Sequence, residues 1–151
     1  MEPKKILIAV DASENAQRAT EYVTEIIGKR GEEFFIELIY VISNKAKDIF
    51  PDEESWEKKK QEEVNAAKGV LANHKKILLN GGIAAKNVDF KIIETRDISI
   101  AKSILNYQKE HEFGTIVVGR RGMSKAEEFL FGSVSNKIVH YAKDCAVWVV
   151  E

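Results

Sequence analysis

Three glycines and two serines near the C-terminus are spaced as an anion site would need. Arg120 and Arg121 separate Gly119 from Gly122, and nine residues then precede Gly132-Ser133-Val134-Ser135. Glycine has no side chain to hold a ligand off the backbone. The first N–H groups of a helix lack intrahelical partners and point outward. A strand that feeds glycines, then a helix opening on Gly-Ser, therefore predicts an anion site, with phosphate the natural anion. Ser133 and Ser135 can both donate hydroxyls to phosphate oxygens, although Ser133 is also a good helix cap in its own right. Arg120 and Arg121 can form charge-assisted pairs with a polyphosphate, or stand as solvated loop charges beside Glu127 or Glu128. Gly-x-x-Gly alone is an ordinary turn; the Gly-Ser that follows gives it meaning.

A second chemical candidate is Asp11, which follows the apolar run Ile6-Leu7-Ile8-Ala9-Val10. Its carboxylate can accept from a base amino group or a ribose hydroxyl. Asp11-Ala12-Ser13 can equally form a capping turn for the helix that follows. His74, His111 and His140 lie on separate helical stretches with no Cys or carboxylate at ligand spacing, so no zinc site is expected. There is no Gly-x-x-x-x-Gly-Lys-Ser/Thr and no Gly-x-Gly-x-x-Gly after the first strand, which counts against a P-loop NTPase and against NAD.

These residues need elements to hold them. Apolar runs at 5–10, 34–42, 88–94, 115–118 and 146–150 predict five strands. Between them lie helical faces. Ala16, Ala19, Val23, Ile26 and Ile27 form the first. Trp56, Val64, Ala67, Leu71 and Leu78 form the second, with Asp52 as its cap and Gly81-Gly82 as its stop. Ile100, Ala101, Ile104 and Leu105 form the third. Val134, Ile138, Val139 and Ala142 form the last. Alternating strands and helices predict an α/β fold, a three-layer sandwich with a mainly parallel sheet and helices on both faces. Residues 44–60, charge-rich and carrying Pro51, read as the second strand-to-helix loop.

Composition bounds the rest. The chain has 151 residues, 44% hydrophobic and 31% charged, with a net charge of −1. That suits one globular domain over residues 1–151. It supplies no basic field for nucleic acid or membrane. No apolar run approaches a membrane span, and the start leads straight into a strand, so a cytoplasmic protein is expected. Cys145 is the sole cysteine and reads as a small buried hydrophobe.

The spacing Gly-x-x-Gly, nine residues, Gly-Ser resembles the ATP-binding branch of the universal stress protein family. Ile6-Leu7-Ile8-Ala9-Val10-Asp11-Ala12-Ser13 is similar to that family's first strand and acidic turn. Leu38-Ile39-Tyr40-Val41 is similar to its second strand, and Cys145-Ala146-Val147-Trp148-Val149-Val150 to its closing strand. The resemblance covers essentially the whole chain. It implies a five-stranded sheet of order 3-2-1-4-5, whose order reverses between strands 1 and 4, where ligands of open α/β sheets bind. It implies ATP with Mg²⁺ as ligand. The implied contacts are Ala9, Val10, Asp11 and Ala12; Val41, otherwise a core residue, through its backbone; Val118, Gly119, Arg120, Arg121 and Gly122; and Gly132, Ser133, Val134 and Ser135.

It further implies a non-enzymatic regulatory module with an unidentified protein partner, paired as a homodimer through its last strand. Slow ATP hydrolysis and a nucleotide-free interaction protein are the alternatives. The chain departs from the family at three points. Residues 94–99 replace a Gly-x-Pro-like turn, Ala146 stands where a proline is usual, and Tyr40 where a histidine is common. None removes a phosphate contact.

Overall fold

A computed structural model describes residues 1–44, 48–120 and 133–151. The elements alternate: β1 (Glu2–Ala9), α1 (Glu14–Ile27), β2 (Phe35–Ser43), α2 (Glu53–Asn80), β3 (Val88–Thr95), α3 (Ile100–Glu110), β4 (Phe113–Gly119), α4 (Ser133–Tyr141) and β5 (Ala146–Val150). The sheet order is β3-β2-β1-β4-β5, as expected. Every neighbouring pair is parallel, so the sheet is wholly parallel where a mainly parallel one was expected.

Period-two alternation in the central strands builds a core on each face of the sheet. Ile6 and Ile8 of β1 pack with Ala16, Ala19 and Val23 of α1 and Leu71 and Leu78 of α2. Leu7, between them in sequence, turns to the other face and meets Ala101 and Ile104 of α3 and Ile138 of α4. Because both faces are covered, β1 and β4 read as near-continuous apolar runs rather than as alternating ones. Two residues expected on inward helix faces are exposed instead, Ile26 at 55% and Val139 at 55%. Each lies beside a correct inward residue, Ile27 or Ile138, and the helix turn of about 100° per residue carries it off the face.

Caps fix where the helices start. Asp11 Oδ1 accepts from Ser13 N at 2.9 Å, and Ser13 Oγ accepts from Ala16 N at 3.1 Å. Ser13 is thus the N-cap of α1, and Asp11 braces the turn before it. Asp52 caps α2 through Ser55 N, as its position suggested. The helix begins at Glu53, so residues 53–60 belong to it and not to the loop expected over 44–60.

The lower ends of α1 and α2 touch through glycine. A Cβ on Gly28 would stand 2.3 Å from Gly81 O, and one on Gly81 would lie 1.5 Å from Thr24 Cγ2. The chain then reverses at Gly82, whose φ of +99° suits glycine. The two helices are level at this end, but α1 has 14 residues and α2 has 28. At 1.5 Å per residue, about 20 Å of α2 therefore runs past the start of α1, beyond the C-terminal ends of the strands.

Candidate functional site

β1 and β4 end level with each other: Ala9 pairs with Val118. Beyond this line the chain leaves β1 for α1 on one face and leaves β4 toward α4 on the other. The sheet order reverses here, which opens a crevice at the C-terminal ends of the strands. Val10, buried, donates its N–H to Ile39 O at 2.9 Å. Asp11 follows, half-buried, then the exposed Ala12.

Across the crevice, Gly119 closes β4, and its reason for being glycine is visible. A Cβ there would stand 2.6 Å from Asn15 C and 2.8 Å from Ala16 N. The start of α1 thus packs directly on the end of β4. Its φ is not positive, so the glycine serves the chain's own packing whether or not a ligand also approaches it.

Arg120 carries on from β4. Its N–H donates to Val150 O at 2.8 Å, and its guanidinium pairs with Glu151 at 2.6 Å. Ser135 Oγ donates to Arg120 O at 2.9 Å. That bond ties the first turn of α4 to the exit of β4, and it leaves Ser135, 4% exposed, engaged within the fold. The expectation that this hydroxyl serves phosphate therefore meets a competing use. Ser133 and Val134 open α4 and are half-buried. Arg121, Gly122 and Gly132, with Glu127 and Glu128, lie outside the described residues.

Val41 sits on β2 at the same rim. Ile39 is the last β2 residue bonded to the line of β1 among the described residues. Backbone groups change sides at each residue of a strand, so Val41 turns its N–H and C=O to the side of Ile39, just past the end of β1. Its side chain packs on the α3 layer. Tyr40 faces the opposite layer. Burial, aided by the charges of Asp11 and Glu63, pushes its phenol up from the ordinary value.

The overhanging α2 carries Glu63 and, lower down, His74, which is 3% exposed. His74 Nδ1 lies 2.7 Å from Thr20 Oγ1 of α1. Burial lowers its pKa, while the charges of Asp11 and Glu21 oppose that shift. In the sequence His74 is one of three scattered histidines, and its place on the α2 face at 67, 71, 74 and 78 is the signal that marks it as buried. Between α1 and α2 lies an open groove of about 350 Å³, reaching from Asp11 to His74. Among the described residues no group of three or more His, Cys, Asp or Glu side chains could hold a metal ion. Nor is any helix there long and apolar enough to cross a membrane.

Comparison with known proteins agrees with this architecture. The Universal stress protein family profile matches residues 2–151. A universal stress protein of Staphylococcus aureus strain USA300 is 31% identical over 152 aligned residues, covering 97% of this chain and 83% of that one. Among solved structures, universal stress protein UspA of Lactobacillus plantarum is 22% identical, covers both chains fully and superposes with a TM-score of 0.79. The Archaeoglobus fulgidus universal stress protein in complex with dAMP is 20% identical, with full coverage of both chains and a TM-score of 0.65. A universal stress protein in complex with cAMP is 16% identical over 98% of this chain and 97% of that one, with a TM-score of 0.71. At these identities the solved structures show the shared fold, whereas the family profile and the Staphylococcus aureus relative carry the kinship. The chain belongs to the universal stress protein family.

Proposed function

We propose that this chain is a cytoplasmic, non-enzymatic regulatory module of one domain that binds ATP at the crevice between β1 and β4. The observation that carries the reading is the meeting of Ala9–Asp11, Val118–Arg120 and the first turn of α4 at the point where the sheet order reverses. In this reading the adenosine lies against Val41 and Asp11. The phosphates lie at the Gly132-Ser133 helix start, since the N-terminus of a helix favours anions. Solved relatives with dAMP and cAMP lend support for an adenine nucleotide in this fold.

The Arg120–Glu151 pair is partly exposed, and such pairs contribute roughly 0–1 kcal/mol. A polyphosphate can therefore compete for the guanidinium. The side chains fit Mg²⁺ only as an ion carried chiefly by phosphate oxygens, to which the Ser133 hydroxyl at the start of α4 could add a ligand. When bound, Mg²⁺ offsets phosphate charge.

The test is calorimetry with ATP, paired with mass spectrometry of nucleotide released from denatured purified protein. Micromolar or tighter binding by the wild type, lost in Gly132→Asp with the fold retained, is expected. No binding by the wild type, or equal affinity in both proteins, overturns the reading.

A second part of the reading concerns assembly. β5 is an edge strand, apolar along its length, with Val149 41% exposed. Trp148 packs edge-on against Tyr22 of α1 at 6.0 Å between ring centroids, and Tyr22 and, one helical turn on, Ile26 are exposed. An unprotected apolar edge invites pairing with a second copy about a twofold axis. The homodimer through β5 follows.

A further inference from the structure

Arg120 is anchored by its main chain and not by its charge. Its N–H donates to Val150 O at 2.8 Å, and its C=O accepts from Ser135 Oγ at 2.9 Å. These bonds pin the exit of β4 between the end of β5 and the first turn of α4. The guanidinium takes no part in them; it donates to Glu151 Oε2 at 2.6 Å. The two side chains are 39% and 60% exposed, so their pairing adds little to the stability of the fold.

The pair stands on the side of the sheet where the phosphates are proposed. Val118, two residues before Arg120, and Val147, four before Glu151, both pack in the layer of α3 and α4. Strand alternation, carried one residue past Gly119 and Val150, puts both charged side chains on that same side. The Ser135 bond joins Arg120 directly to the first turn of α4. Glu151 thus occupies a guanidinium that stands beside the helix start.

Carboxylate and phosphate oxygens both suit the paired donors of a guanidinium, and a polyphosphate brings more oxygens and more charge than one carboxylate. Adenosine brings no charge and cannot displace Glu151. Resting on the nucleotide reading above, we propose that Glu151 is a built-in competitor for Arg120. It holds the guanidinium until a polyphosphate takes its place, and the exchange makes the crevice select nucleotides by their number of phosphates. Only side chains move in this exchange, since both main-chain bonds of Arg120 persist.

The test is calorimetry at low ionic strength with adenosine, AMP and ATP on four proteins: wild type, Glu151→Gln, Arg120→Gln and the double variant. Glu151→Gln frees the guanidinium and should tighten ATP about 2–5-fold, the size an exposed ion pair carries. Adenosine affinity should not change. Arg120→Gln should weaken ATP about tenfold, as loss of one charge-assisted hydrogen bond predicts, again with adenosine unchanged. In the Arg120→Gln background the gain from Glu151→Gln should vanish, because nothing is left to compete for. Equal ATP affinity in wild type and Glu151→Gln overturns the proposal and leaves the nucleotide reading standing. So does a gain that adenosine shares, or one that persists without Arg120, which would be plain charge repulsion. ATP binding by none of the four proteins removes the nucleotide reading and the competitor with it.

Discussion

Gly119 and Gly69 have the same side chain and opposite surroundings. At Gly119 the strand end and the α1 backbone are in contact, so Gly119→Ala forces a shift of main chain, not of a flexible side chain. It should cost about 1–3 kcal/mol, the range for overpacking. Urea denaturation will show this as a lower midpoint at unchanged slope. At Gly69 a methyl group meets open space. Gly69→Ala should therefore stabilise by about 0.5–1 kcal/mol through helix propensity and reduced chain entropy.

His74 makes a different residue-scale prediction. Its folded pKa lies below the ordinary 6.5 because burial disfavours the charged ring. The unfolded chain thus binds the proton more readily. Stability from this residue is fully present above about pH 6.5, and is lost as the pH falls below that value through the depressed folded pKa. Unfolding free energies measured from pH 8 to pH 5 should fall less in His74→Gln than in the wild type. Parallel curves would remove His74 as the cause.

At the scale of elements, α1 and α2 are joined in two ways. Gly28 and Gly81 let their lower ends meet backbone to backbone, and Thr20 and His74 link them farther up, near the middle of α1, through a buried hydrogen bond. Thr20→Val keeps the shape and removes the hydroxyl. It leaves the buried imidazole Nδ1 without a partner, which costs about 1–3 kcal/mol. A drop in thermal midpoint with α3 and the crevice intact is expected; calorimetric ATP affinity within about twofold of wild type would separate the joint from the nucleotide site. The unequal helix lengths have a further effect. They place the first half of α2, with Glu63, over the strand ends, where it adds negative charge near Asp11 and Tyr40. Phosphates in the proposed pose lie at the α4 side, away from this wall.

For the whole molecule, the exposed edge at β5 predicts self-association. Val149→Lys puts a charge where two copies would pair, so a dimer at micromolar concentration should become a monomer in sedimentation. A monomeric wild type would sink the assembly reading. Turnover is the other whole-molecule property. Among the described residues no cluster of carboxylates and histidines gathers to hold a metal ion, and the chain has no Walker lysine. Asp11 already braces the turn before α1. Incubation with labelled ATP and Mg²⁺ should show hydrolysis far below about 1 per second, the lower end of ordinary enzyme turnover. Several turnovers per second, lost on changing one crevice residue, would make the chain an ATPase.

Local signals were sufficient wherever the controlling interaction is local. The apolar runs located the strands, Asp52 and Gly81-Gly82 bounded α2, and strand–helix alternation determined the α/β class, because caps, turns and periodicity act over a few residues. Strand order came from resemblance to a family, since periodicity does not distinguish one parallel order from another. Only the tertiary structure decided what depends on distant partners. Ser135 spends its hydroxyl on Arg120, fifteen positions earlier, and Arg120 pairs with the C-terminal Glu151. Gly119 is bounded by Asn15 from the far end of the chain, and His74 meets Thr20 across 54 positions. Ile26 and Val139 look inward by composition, yet a rotation of one residue about the helix axis exposes them. A sequence states which groups a chain carries; their neighbours are chosen when helices of unequal length pack on a sheet, and that packing is a sum over contacts no local pattern contains.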